Sequence, residues 1–138
     1  MFEKILLASD GSSHALRAAE KAAELAKLSN GMITVLYIID PSRSKSEVLS
    51  VGDTDALEDK RKKRLQETEE VLLKQELEYI VKILKGEPGP SIVHYANENK
   101  FELVVIGSRG LNSFQEMVLG SVSHKVAKRT DCPVLIVK

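Results

Sequence analysis

Four short, largely apolar runs are the feature of this sequence that most restricts its fold. They are Ile5–Ala8, Met32–Ile39, Leu103–Ile106 and Val134–Val137. Apolar runs of this length, without a regular polar alternation, are typical of strands that are buried on both faces of a parallel sheet. A fifth segment, Glu78–Lys85, alternates imperfectly and contains a lysine, which predicts an edge strand.

Helical segments separate these strands. The first is rich in alanine, which suits close packing on a sheet, and is predicted to have Ser12 or Ser13 as its N-cap and Asn30-Gly31 as its C-cap. Polar and glycine- or proline-rich stretches predict the connections. The further helices are expected at Asp55–Gln75, Ser91–Asn99 and Gly120–Arg129, with a loop at Ser42–Thr54 and a turn at Gly86–Pro90.

Alternation of strands and helices predicts an α/β fold with a parallel sheet covered by helices on both faces. With five strands and right-handed crossovers, the expected topology is a doubly wound sheet of order 3-2-1-4-5. Ligands bind such sheets at the switch point, outside the carboxyl ends of strands 1 and 4. The loops that meet there are Ala8–Gly11 and Gly107–Gly110, and strand 2 ends beside them at Asp40.

A glycine pattern follows the fourth strand and predicts an anion site. Gly107 and Gly110 bracket Ser108 and Arg109, nine residues follow, and Gly120 then precedes a helical segment. Glycines let backbone N–H groups approach a phosphate, and a helix N-terminus adds unpaired donors. The pattern lacks the lysine of a P-loop and the spacing of the Rossmann fingerprint. Side chains added at Gly110 or Gly120 are expected to block the phosphate without entering the core.

Composition favours one domain, residues 1–138, of balanced charge. Twenty basic residues equal twenty acidic ones, so neither a nucleic-acid nor a membrane-binding surface is expected. The basic run Lys60–Arg64 is flanked by acidic residues and is interpreted as the solvated face of a helix. No apolar stretch approaches a membrane span, no secretory signal is apparent and Cys132 is the single cysteine, so a cytoplasmic location is expected.

The sequence resembles the universal stress protein family along its whole length. The resemblance lies in ILLASDGS, VLYIIDP, VVIGSRG and GSVSHKVAKRTDCPVLIVK. The ATP-binding branch of that family is marked by G-x-x-G, nine residues, then G-[ST], and Gly107, Gly110, Gly120 and Ser121 fit it at every position. The fold implied is the adenine nucleotide α-hydrolase-like arrangement.

This resemblance implies an ATP site with magnesium or manganese carried on the phosphates rather than on a set of protein ligands. Asp10 would contact the ribose or the metal-bound phosphates, and Ile38 would meet the adenine with its backbone and side chain. Arg109 would lie near the mouth of the site. The remaining site residues implied are Ala8 and Ser9 beside the adenine, Gly107, Ser108 and Gly110 near ribose and phosphate, and Gly120, Ser121, Val122 and Ser123 around the phosphates.

Three classes of function stay open at this point. The first is an ATP-binding regulatory protein of the stress response, which would act through an unidentified protein partner and as a homodimer joined along Val134–Val137. The second is an ATPase or phosphotransferase, although no lysine or evident base stands ready for the γ-phosphate, so slow hydrolysis at most and no catalytic residue are expected. The third is a dimeric interaction module that does not use nucleotide. His14, His94 and His124 are interpreted as surface or capping residues.

Overall fold

The computed structural model describes residues 1–41, 54–109 and 120–138. Within these ranges strands and helices alternate along the chain, as the apolar runs predict. The elements are β1 (Lys4–Ser9), α1 (Ser13–Ser29), β2 (Met32–Ile39), α2 (Thr54–Lys74), β3 (Tyr79–Lys85), α3 (Pro88–Glu98), β4 (Leu103–Gly107), α4 (Ser121–Arg129) and β5 (Val134–Val137).

The described strands form one parallel sheet in the order β3-β2-β1-β4-β5, so the predicted topology is confirmed. β1 lies in the middle, where Leu7 is paired with Val35 of β2 on one side and with Val105 of β4 on the other. The chain leaves β1 toward β2 and later enters β4 on the opposite side. A crevice therefore opens between the ends of β1 and β4.

Helices cover the sheet on both faces because the central strands are apolar on both. Ile5 and Leu7 pack with α1 and with Leu72 of α2. Leu6 and Ala8 point to the opposite face, where they belong to a cluster with buried residues of α3 and α4. Successive side chains of a strand alternate between faces, so one continuous apolar run supplies both halves of the core.

Helix α1 is held close to the sheet by its alanines and is closed at both ends. Six alanines of this helix are buried. At its start the Ser12 hydroxyl accepts a hydrogen bond from the Ala15 N–H at 3.1 Å, which identifies Ser12 as the N-cap. At its end Asn30 adopts the left-handed conformation with φ of 56°, and the Gly31 N–H donates to the Ala26 carbonyl.

Helix α3 begins earlier than predicted, so the expected turn at Gly86–Pro90 is wrong over its last three residues. The helix starts at Pro88, and only Gly86 and Glu87 connect it to β3. Proline suits the first turn of a helix because its fixed φ is helical and its missing N–H has no acceptor there. Gly86 has a φ of 152°, a value that non-glycine residues rarely adopt.

Helix α2 starts at Thr54, one residue before the expected start, and the rest of the predicted loop, residues 42–53, lies outside the described ranges. It reaches β3 without a glycine. Glu76 takes the left-handed conformation instead, and the N–H of Leu77 donates to the Leu72 carbonyl. Among the helices of the described ranges, none has the length and apolarity needed to cross a membrane.

The alanine face of α1 sets the distance between the helix and the sheet. Replacing one of these alanines with a larger side chain tests how tightly the two pack. We expect Ala22→Leu to lower the free energy of unfolding by about 1–3 kcal/mol, because the side chain at this fully buried position has no space to extend. Urea unfolding gives the measurement. Glu20→Leu adds the same side chain at an exposed position of α1 and is the control. Equal midpoints for the two variants would contradict the tight packing.

Candidate functional site

A cavity of about 470 Å³ opens at the carboxyl ends of β1, β2 and β4, at the switch point of the sheet. The starts of α3 and α4 close it on one side, and the β1–α1 loop borders it on the other. Ten of the residues predicted for the site line it, namely Ala8, Ser9, Asp10, Ile38, Gly107, Arg109, Gly120, Ser121, Val122 and Ser123. Predictions for Gly110 fall outside the described residues.

One wall of the cavity is apolar. Leu36 and Ile38 of β2, Ile106 of β4 and Ile92 of α3 line it together with Ala8. These residues continue the core cluster under α3 and α4 into the cavity. Such a wall suits a flat, largely apolar group, while the polar loops beside it can supply orientation.

Helix α4 points its N-terminus at the same cavity. Gly120 is its N-cap, and its backbone N–H donates to the Ser108 carbonyl at 2.8 Å. The next N–H groups, those of Ser121, Val122 and Ser123, lie in the first turn, where no intrahelical acceptor is available to them. Backbone donors and the positive end of the helix dipole are therefore directed at the space where an anion could bind.

Gly120 is required by a contact within the protein. A Cβ atom built on it would lie 2.9 Å from the Ser108 carbonyl oxygen, which is backbone and has no freedom to move aside. A side chain at position 120 would therefore contact the protein backbone as well as the space predicted for the phosphate, so the expectation that it leaves the fold intact is wrong. Alanine at this position would push α4 away from the end of β4.

Ser108 and Ser123 make hydrogen bonds within the protein at the border of the cavity. Ser108 is buried and does not line the cavity; its N–H donates to the Val137 carbonyl at 2.7 Å and its carbonyl accepts from Gly120. The Ser123 side chain is 3% exposed, and its hydroxyl donates to the Gly107 carbonyl at 2.5 Å. These hydrogen bonds hold the ends of β4, β5 and α4 together. The hydroxyl predicted to hold phosphate thus serves in this structure to join α4 to β4.

Gly107 likewise meets a neighbouring backbone. A Cβ atom built on it would lie 3.0 Å from the carbonyl carbon, the Cβ and the carbonyl oxygen of His14, in the first turn of α1. The glycine therefore allows α1 to approach the end of β4. This packing accounts for Gly107 independently of any ligand.

The β1–α1 loop forms the other border of the cavity. Asp10 accepts a hydrogen bond from the Ser12 N–H at 2.9 Å, an Asx turn that leads into α1. Gly11 follows with φ of 78°, in the left-handed region. Its N–H donates to the Ser9 hydroxyl, which also shares a hydrogen bond of 3.4 Å with the fully buried Thr68 of α2. The loop that carries Asp10 is therefore attached to α2.

Arg64 makes the second attachment between this loop and α2. A Cβ atom built on Gly11 would lie 2.3 Å from the Arg64 Cβ and 2.8 Å from its Cγ. The Arg64 side chain also hydrogen bonds with Tyr37, whose pKa is raised by burial. Lys60, Lys62 and Lys63 of the basic run are exposed as predicted, but Arg64 is partly buried against the site loop.

Cationic groups cluster where α1 meets the end of β4. The pKa of His14 is lowered, first by burial and then by the nearby Arg17 and Arg109, while Asp10 opposes the shift. The His14 Nδ1 lies 2.8 Å from the terminal nitrogen of Arg17. The Nε of Arg109 is buried, and it has no hydrogen-bond partner within the described part of the chain. Arg109 itself lines the cavity.

Comparison with known proteins identifies the family. The model of the universal stress protein family matches residues 1–138. The chain belongs to the universal stress protein family. Universal stress protein YxiE of Bacillus subtilis is 33% identical over all of both chains.

Solved universal stress protein structures share the fold. The Methanocaldococcus jannaschii protein MJ0577 superposes with a TM-score of 0.82 and 28% identity, covering 100% of this chain and 96% of its own. The Archaeoglobus fulgidus universal stress protein solved in complex with dAMP has a TM-score of 0.72 and 26% identity, with both chains fully covered.

Glu87 and Lys125 are charged residues of the cavity that the sequence did not predict. Asp40 also lines the cavity, beside the switch point where the topology predicted the end of strand 2. Lys125 lies four residues after Ser121, one helical turn along the same face. Glu87 could not be found, because the predicted turn concealed the start of α3.

No cluster of three or more His, Cys, Asp or Glu side chains in residues 1–41, 54–109 and 120–138 is arranged to hold a metal ion. Asp10 lines the cavity from the β1–α1 loop, at the switch point where β1 lies beside β4. Carboxylate and phosphate oxygens are the ligands that magnesium and manganese prefer. The described residues therefore fit a metal that arrives on a bound phosphate chain, with Asp10 as an outer partner.

The contact between Gly11 and Arg64 can be tested by adding one methyl group. We expect Gly11→Ala to lower the free energy of unfolding by roughly 1–2 kcal/mol from the left-handed backbone alone, and further because the Cβ meets Arg64. Urea unfolding measures the loss, and faster hydrogen exchange of the Ser12 amide would locate it in the loop. The control is Ser13→Ala, two residues after Gly11 at an exposed position. A Gly11→Ala protein as stable as that control would contradict the packing.

Proposed function

We propose that this protein binds ATP in the switch-point cavity and acts as a nucleotide-dependent regulatory protein of the stress response. The observation that carries the proposal is that one cavity combines an apolar wall with the open N-terminus of α4. The wall suits a purine base, and the helix start suits phosphates. The complex of the Archaeoglobus fulgidus relative with dAMP supports an adenine nucleotide.

In this proposal the base lies against Ile38 and Ala8, and the phosphates meet the N–H groups of Ser121, Val122 and Ser123. Asp10 faces the ribose or a phosphate-bound magnesium or manganese ion, which would neutralise part of the phosphate charge. Arg109 lies at the mouth, where its positive charge would attract the nucleotide. In this proposal Ser9 and Gly107 lie beside the ligand and Ser108 supports the site through its backbone, while the role of Gly110 stays a prediction.

Binding rather than turnover is the proposed activity. Phosphoryl transfer needs charge neutralisation at the γ-phosphate and an oriented nucleophile. Asp10 already accepts a hydrogen bond from Ser12, and the Ser123 hydroxyl donates to Gly107. Because these groups already make hydrogen bonds within the protein, they are better suited to positioning a ligand than to acting as a general base. We therefore expect at most slow hydrolysis.

A homodimer along β5 and a cytoplasmic location are parts of the same proposal. β5 ends the sheet, so one edge of Val134–Val137 has no neighbouring strand in the described sheet. Leu135 within it is 36% exposed. A second copy pairing there would cover this edge. The dimer would present nucleotide-dependent loops to a protein partner.

The direct test is to identify what the purified protein carries. We expect mass spectrometry of small molecules released by denaturation to find ATP or ADP near one equivalent per chain. Where the purified protein is empty, calorimetry with added Mg-ATP is expected to show saturable binding. A protein that is empty and also gives no heat with Mg-ATP would leave the nucleotide-independent interaction module as the better account.

A charge at the start of α4 separates ligand binding from folding. Ser121→Asp should weaken ATP binding by about tenfold or more through like-charge repulsion of the phosphates, while a carboxylate at a helix N-terminus favours the helix itself. Ser13→Asp makes the same change at the first residue of α1, which does not line the cavity, and is the matched control. Calorimetry and urea unfolding give the two readouts. Unchanged ATP affinity in Ser121→Asp would contradict the placement of the phosphates.

A further inference from the structure

Lys125 lines the cavity although it belongs to neither of the loops that form the switch point. It lies one turn beyond Ser121 on α4, so the two residues share a helix face. Side chains on a helix lean toward its N-terminus. From this position the Lys125 side chain covers the turn that begins with Ser121, which is the turn directed at the cavity.

Contact with α3 holds the stem of Lys125 in place. A Cβ atom built on Gly89 would lie 2.8 Å from the Lys125 Cδ, 3.5 Å from its Cγ and 3.6 Å from its Cβ. The aliphatic stem therefore lies along the backbone of Gly89, in the space that a side chain there would occupy. Its placement limits the freedom of the side chain and reduces the entropy lost when the ammonium group binds.

The distribution of charge around the cavity gives Lys125 a distinct place. Asp10, Asp40 and Glu87 contribute carboxylates, and Arg109 and Lys125 are the cations that line it in the described part of the chain. Arg109 lies on the α1 side, close enough to His14 to lower its pKa. Lys125 lies on the opposite side, against α3. The cavity is therefore flanked by a cation at each side of the α4 N-terminus.

We propose that Lys125 is a specificity-determining residue that contacts the phosphate chain and makes the cavity prefer nucleotides with two or three phosphates. The inference rests on the proposed nucleotide site and adds a selection by charge. Backbone N–H groups at the helix start bind any phosphate. An ammonium group held beside them increases the affinity further with each additional negative charge on the ligand.

The experiment compares adenosine, AMP, ADP and ATP as probes, each by calorimetry at fixed salt and magnesium concentrations. Lys125→Met keeps an unbranched stem for Gly89 and removes the charge. We expect about a tenfold to hundredfold loss of affinity for ATP and ADP, a smaller loss for AMP and none for adenosine. Lys125→Arg should retain the preference.

Lys128→Met is the matched control, because it removes the same charge from the exposed side of the same helix. Its four affinities should equal those of the wild type. Unchanged ATP affinity in Lys125→Met, or an equal loss for adenosine and ATP, would overturn the role of Lys125 while leaving the proposed function standing. A wild-type protein that binds none of the four probes would overturn both.

Discussion

Burial of β1 on both faces is the constraint on which the rest of the structure depends. Ile5, Leu6 and Leu7 have no exposed surface, and each such side chain contributes about 1.5–3 kcal/mol when fully buried. Both faces can be covered only if helices lie on both sides of the sheet. The connections that follow β1 and β4 must then run in opposite directions, so the same burial that stabilises the fold opens the crevice between the carboxyl ends of these two strands.

The border of that crevice is built from contacts between backbones. Gly120 donates to Ser108, Ser108 donates to Val137, and the Ser123 hydroxyl donates to Gly107. The two described glycines of the pattern are each required by a close approach within the protein, to His14 and to Ser108. The glycine spacing therefore follows from how β4, α1 and α4 pack, and the proposed ligand would bind on the surface that this packing creates.

The sequence predicted the strands, their order and most of the cavity lining because each of these follows from local apolar runs and from topology. The start of α3 was missed because Pro88-Gly89-Pro90 has the composition of a turn, and only the packed helix distinguishes the two. Arg64 was missed for a different reason, and so was the contact of the Lys125 stem with α3. Both depend on how one helix crosses a distant glycine, Gly11 or Gly89, and local patterns carry no information about such crossings.

The seating of Arg64 on Gly11 has a mechanical consequence. The loop that carries Asp10 cannot move toward a ligand without a change in the contact between Gly11 and Arg64 of α2. The hydrogen bond between Ser9 and Thr68 connects the loop to the same helix. A displacement of the loop is therefore coupled to a displacement of α2. By reciprocity, a partner that binds the outer face of α2 would change the affinity of the cavity for the proposed nucleotide, and the nucleotide would change the affinity of that partner by the same free energy.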